Sequence, residues 1–299
     1  MKFDLRSLST AALVALQGAF LSACASAPKS DTAPAPAATV ATPAAAPASP
    51  SPAPAAAATT PAAAATAVPA KVPTAREIVD RYVAAIGGRD QILKHGSRRV
   101  TGTLEIPAAG LTGAMTAVSA KPNRMAVTIN IPGLGDMRQG YDGTVGWSLD
   151  PTQGPMVLSG KALDQRKQQA QFYSELHDAK DYASMETVGL VDFNGAQAYK
   201  VKLVRANGDS TFELFDPTSG LMVGMISTQD SPMGAMTITS TIGDYKPFGG
   251  IQVATKSTQT FATGQKVNLT VSNVEYDVVD PKAFELPTEI KTLSSGAKK

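Results

Sequence analysis

The chain reads as mainly β (α+β), a strongly curved antiparallel sheet or partial barrel with two helices of useful length over an apolar interior. Three observations carry that reading. From Arg99 onward, apolar residues recur with a period of two, which puts successive side chains on opposite faces of a strand. Asp142-Gly143, Asn194-Gly195 and Asn207-Gly208 are pairs that tolerate positive φ and match the twist of antiparallel hairpins. Some ten or more strands each present one apolar face, more than two helices can cover. The faces must cover one another, which a curved sheet achieves and a flat one does not.

The N-terminus carries a different signal. Lys2 and Arg6 form a basic start, Ala11 to Leu21 is mostly apolar although Gln17 interrupts it, and Leu21-Ser22-Ala23 leads to Cys24, the one cysteine of the 299 residues. The apolar run is far short of the roughly 20 residues that span a bilayer. Residues 1–23 therefore read as a removed signal peptide, and Cys24 as a lipidation site resembling that of bacterial lipoproteins. A thiolate can be alkylated by a diacylglycerol group, and cleavage before Cys24 frees an amine for a further acyl chain such as palmitate. With that thiol consumed, the folded part has no disulfide available.

From Cys24 to about Pro73 the chain is almost entirely Ala, Pro, Thr and Ser. Prolines scattered through alanine suppress helix and leave too little apolar bulk to collapse, so residues 24–73 read as a disordered linker. As polyproline at about 3.1 Å per residue it reaches on the order of 150 Å, and as a flexible coil nearer 40 Å. Either length holds a folded domain clear of a membrane surface. Ala25 stands where well-studied envelope systems place an inner-membrane retention aspartate, which favours the outer membrane, facing the periplasm.

Residues 74–287 are enough for one domain with a substantial core, followed by a flexible tail over 288–299. Thr74-Ala75-Arg76-Glu77 is a capping box that starts a helix. Ile78, Val79, Tyr82, Val83 and Ile86 give it an apolar face, and Gly87-Gly88 stops it. A shorter helical piece follows around Asp90 to His95. Strands are predicted where Val100, Gly102, Leu104 and Ile106 alternate with polar residues, and again through Met125, Val127, Ile129 and Ile131. The pattern returns at Tyr199, Val201 and Leu203, at Phe212 and Leu214, at Met236 and Ile238, and at Val267, Leu269 and Val271. Asp150-Pro151-Thr152-Gln153-Gly154 and Asp216-Pro217-Thr218-Ser219-Gly220 are near-copies of one turn, a generic loop solution and not a repeat. Lys161 to about Tyr182 lacks Gly and Pro and spaces Leu163, Ala170, Tyr173 and Leu176 as a thin helical face, predicting a lid helix over the sheet's rim.

Composition excludes one class. The formal charge of +2 is spread without a basic stripe or interleaved aromatics, so no nucleic-acid partner is expected. The ten methionines suit an apolar surface that adapts to varied ligands, and equally an ordinary core. Candidates for a cavity wall or lid are Leu104, Ile106, Met115, Met125, Val127, Ile129, Trp147, Phe172, Tyr173, Tyr199, Val201, Phe212 and Met236. Trp147, beside a hairpin turn, reads either as a ligand contact or as a core plug.

Ala84-Ala85-Ile86-Gly87-Gly88, Gln139-Gly140-Tyr141-Asp142-Gly143 with Trp147-Ser148-Leu149-Asp150-Pro151, and Ser231-Pro232-Met233-Gly234-Ala235-Met236 before Asp244-Tyr245-Lys246 resemble the LolA/LolB-like outer-membrane lipoprotein-sorting superfamily, in its uncharacterised branch. The resemblance implies an antiparallel half-barrel with a helical lid over a hydrophobic cavity for acyl chains. It implies lipid acyl chains or lipoproteins as partners, and the Cys24 anchor adds a tether to the membrane. An envelope interaction or sensing module on the same fold, and a hydrolase, remain as alternatives. No catalytic, metal or cofactor site is predicted. His95 and His177 lack metal-ligand spacing and there is no G-x-S-x-G elbow, so His95 reads as a solvated or dipole-favoured residue near a helix end and His177 as locally paired with Glu175 or Asp178.

Overall fold

The computed structural model describes residues 72–231 and 234–296. The signal segment, Cys24, the linker to Lys71, Pro232, Met233 and the last three residues lie outside the described residues. No helix among the described residues is long and apolar enough to cross a membrane.

Thr74 opens the first helix as its sequence dictates. Its hydroxyl accepts from the Glu77 N–H at 3.3 Å, while the Glu77 carboxylate accepts from the Thr74 N–H at 2.7 Å, which closes the capping box. The resulting α1 (Ala75–Ala85) buries Ala75, Ile78, Val79, Tyr82 and Val83. Gly87 ends it at a φ of +129°, where a Cβ would stand 2.6 Å from the Gly250 carbonyl oxygen. Gln252 N–H donates to the Ile86 carbonyl at 2.8 Å and ties this corner to the sheet. The short α2 (Arg89–Leu93) follows.

Thirteen strands form one antiparallel sheet: β1 (Ser97–Ile106), β2 (Leu111–Ala120), β3 (Arg124–Ile131), β4 (Gly135–Tyr141), β5 (Gly146–Asp150), β6 (Gly154–Val157), β7 (Ser184–Phe193), β8 (Ala196–Val204), β9 (Ser210–Phe215), β10 (Met222–Ser231), β11 (Gly234–Phe248), β12 (Ile251–Phe261) and β13 (Lys266–Tyr276). The order across the sheet is β6-β5-β4-β3-β2-β1-β13-β12-β11-β10-β9-β8-β7. The chain begins mid-sheet, meanders out to one edge, crosses to the other and meanders back until β13 pairs with β1. The sheet is curved and not closed, a half-barrel with β6 and β7 as its edges. Short turns explain the meanders. Asn194 and Gly195, at φ of 55° and 81°, join β7 to β8 directly. The two near-copied turns use one device, an aspartate accepting from backbone N–H groups just ahead: Asp150 from Thr152 at 2.7 Å, and Asp216 from Ser219 at 2.6 Å.

The crossing from β6 to β7 forms the lid. Helix α3 spans Gly160–Gln169, and two 3₁₀ turns, Ser174–Leu176 and Ala179–Asp181, complete the crossing. The expected lid helix is thus about half as long, and Phe172 and Tyr173 lie in the loop after it. Lys161 to Tyr182 lacks a breaker, yet its apolar residues gather after position 169. That part gains more by packing Phe172 and Leu176 individually, at 4% and 2% exposure, than by continuing a helix whose own buried face is Gln165, Arg166 and Gln169.

The concave side holds two clusters. One combines β1 to β4 with β11 to β13 around Leu104, Ile106, Met115, Ile129 and Ile238. The other packs α1 on Val201, Leu203, Phe215 and Met222. Residues 288–296, expected as tail, form a fourth helix, α4 (Thr288–Gly296), with Ile290 fully buried.

Candidate functional site

Register decides which side chains reach the interior. Along β9, Thr211, Glu213 and Phe215 pair with Leu203, Val201 and Tyr199, all on the concave face. Phe212 and Leu214 therefore point the other way, and the Lys200 ammonium lies 4.2 Å from the Phe212 ring on that outer side. Counting Phe212 as a cavity residue is corrected accordingly: the strand follows its period, but the face turned to α1 is the one carrying Glu213. Trp147 is outward too. Ser148 pairs with concave Gln139, whereas Trp147 pairs with Gly140 and has Arg138 over its ring at 5.9 Å. At 3% exposure it is a plug on the convex side.

Between the two clusters, under α1 and the 172–177 loop, is a cavity of about 190 Å³. Its wall comes from β1 and from β9 to β13 and is mostly apolar, including Ile86, Met225, Ile242, Ile251, Val253 and Leu269. Of the residues expected to contact a ligand, Phe172 lines it. Leu104, Ile106, Met115, Met125, Val127 and Ile129 lie in the neighbouring core, with Met236 packed beside them. Val201, Tyr199 and Tyr173 belong to the cluster under α1. Tyr173 donates its hydroxyl proton to the His95 carbonyl at 2.7 Å, fastening the loop to α2's end.

The charged groups of the wall are matched with one another. Arg98 and Glu175 form an ion pair, and the Arg98 guanidinium lies 5.5 Å from the Phe172 ring centre. His177 Nε2 meets Glu213 Oε2 at 2.8 Å, the two side chains 4% and 0% exposed. Its Nδ1 donates to the Glu175 carbonyl at 3.0 Å, so both ring nitrogens face acceptors and the imidazolium suits the place. Burial opposes that charge, but the Glu213 carboxylate outweighs it and holds the His177 pKa above its ordinary value. Glu175 thus meets His177 through its backbone carbonyl, and the ion partner, expected nearby, is Glu213, 36 positions away. His95 follows the end of α2 as expected, but its ring is engaged: it stacks on Tyr276 at 4.2 Å and meets Asp277 Oδ2 through Nδ1 at 2.8 Å. Hydrogen bonds from the Gly96 N–H and from His95 hold the Asp277 carboxyl below the usual range. Burial pushes the Tyr82 and Tyr245 phenols up, keeping both neutral.

The result is an apolar chamber whose charges cancel within its wall. Both nitrogens of His177 are committed, leaving neither to take a proton from a substrate. No cluster of three or more potential metal ligands occurs among the described residues.

Solved structures share this architecture. A DUF1329 family protein from Desulfovibrio piger superposes with a TM-score of 0.50 at 13% identity, over 71% of this chain and 97% of that one. A LolA superfamily protein from Nitrosomonas europaea does so with a TM-score of 0.49 at 15% identity, over 72% and 98%. No family model matches the sequence, and no curated protein does. At such identities the likeness concerns the curved antiparallel fold alone.

Proposed function

We propose that this protein is a membrane-tethered lipoprotein of the bacterial envelope that receives acyl chains of lipids or lipoproteins in its half-barrel. The observation that carries the reading is the mostly apolar cavity, in whose wall Arg98 pairs with Glu175 and His177 with Glu213, so that a chain entering it meets paired charges. The family resemblance supports the ligand class. The lipobox ending in Cys24 and the Ala/Pro-rich linker support a tether, and Ala25 supports the outer membrane. A stationary acceptor fits an anchored chain better than a free shuttle does.

The test is extraction of the purified Cys24→Ser chain with organic solvent and mass spectrometry of what leaves it. Co-extracted lipid is expected from this protein and not from a Val253→Trp variant, whose indole would fill the space between the two clusters. A protein that extracts clean and fails to bind a fluorescent acyl probe would sink the reading. A second reading, an envelope protein-interaction module, is favoured by edge strand β7, where Val188 and Leu190 are 51% and 49% exposed. Crosslinking from β7 to a defined partner, with the cavity empty, would support it instead.

A further inference from the structure

Helix α3 brings a buried cation against the concave face of β4. Arg166 and Gln139 are each 2% exposed, and Arg166 Nη2 donates to Gln139 Oε1 at 2.5 Å. The remaining donors there are unmatched. Arg166 Nε and Nη1, Gln139 Nε2 and the Nε2 of adjacent Gln165, itself 6% exposed, have no hydrogen-bond partner among the described residues. Burial lowers the Arg166 pKa to about 10, with no opposing carboxylate. A buried guanidinium with open donors is costly unless an anion meets it.

The surroundings indicate where such an anion would come from. Gln139 is in register with Val127, Val127 with Ala117, Ala117 with Val100, and Val100 with Val274. Val100 and Val274 line the cavity, while Val127 and Ala117 between them are small and apolar. Three strand spacings, ~14 Å, separate Gln139 from the cavity wall. That row is a continuous apolar stripe buried in the core, with a cavity at one end and unmatched donors at the other.

We propose that Arg166, with Gln139, binds the oxyanion headgroup of an acidic amphiphile, carboxylate or phosphate, whose chain runs along this row into the cavity once α3 shifts from the sheet. The proposal rests on the acyl-chain reading above and names the ligand class within it. The open donors of Arg166 supply charge-assisted hydrogen bonds that a neutral headgroup does not receive.

Calorimetric titration of the full Cys24→Ser chain with oleate, oleoyl lysophosphatidate, monoolein and inorganic phosphate tests it. The two acidic amphiphiles should bind about tenfold or more tightly than monoolein, and Arg166→Met should remove that preference while leaving monoolein binding unchanged. Equal weakening of all three amphiphiles by Arg166→Met would overturn the proposal, because a lid fastener would act without regard to headgroup. Saturable binding of phosphate alone, as tight as that of lysophosphatidate, would overturn it in favour of a free oxyanion. Should Arg166→Met not fold, equal affinity of the unsubstituted arginine chain for acidic and neutral amphiphiles would overturn it. Failure of monoolein and the acids alike would defeat the acyl-chain reading itself, whereas monoolein binding without an acidic preference defeats this inference alone.

Discussion

His177 shows how one side chain ties the lid to the sheet. Its ring meets Glu213 on β9, stacks on Tyr182 at 6.1 Å and meets Tyr82 edge-on at 5.7 Å, while its backbone carbonyl accepts from Arg76 at 2.8 Å. Burial and Arg205 oppose the ring's charge, and Glu213 with the Glu175 carbonyl overcomes them. The folded pKa thus exceeds the unfolded value of about 6.5. A raised pKa contributes stability that is complete below the unfolded value and is lost as pH rises through the folded one. The unfolding midpoint should therefore fall as pH is raised from about 6.5, and His177→Ala, costing about 3 kcal/mol below that pH, should flatten the profile there. A flat profile in the unsubstituted chain would contradict the pairing. The sequence offered Glu175 and Asp178 as neighbours of His177, but only the register of β9 brings in Glu213.

At the scale of elements, Gly102 makes the point about register. In the sequence it occupies an inward position between Val100 and Leu104, as if an apolar residue were missing. The pairing of β1 with β13 shifts between Thr101 and Gly102, and a Cβ at Gly102 would come within 2.1 Å of the Thr270 carbonyl oxygen. The backbones approach so closely there that only glycine fits. Gly102→Ala is expected to destabilise by about 1–3 kcal/mol in denaturant unfolding, against little change for exposed Thr103→Ala. Equal effects of the two would show that the bulge tolerates a side chain. Period and capping box made α1 and most strands legible. The lid was only partly so, because the buried face of α3 is Gln165, Arg166 and Gln169, which an apolar-face rule passes over.

For the whole molecule, the pairing of β1 with β13 joins two meanders into one curved sheet and leaves the chain crossing from β6 to β7 to roof the interior. The N-terminal tether is argued from sequence. Labelling cells with a palmitate analogue should mark the protein and bring it down with membranes, and Cys24→Ser should abolish both; label retained on the variant would refute the anchor. The sequence by itself determined what is local: strand period, hairpin turns and the helix start at Thr74, since each depends on residues a few positions apart. The tertiary structure alone decided which face of β9 and β5 turns inward, which distant carboxylate meets each histidine, and that Arg166 is buried with donors to spare. Those depend on register and on burial against residues far along the chain, and a period of two is the same for either face.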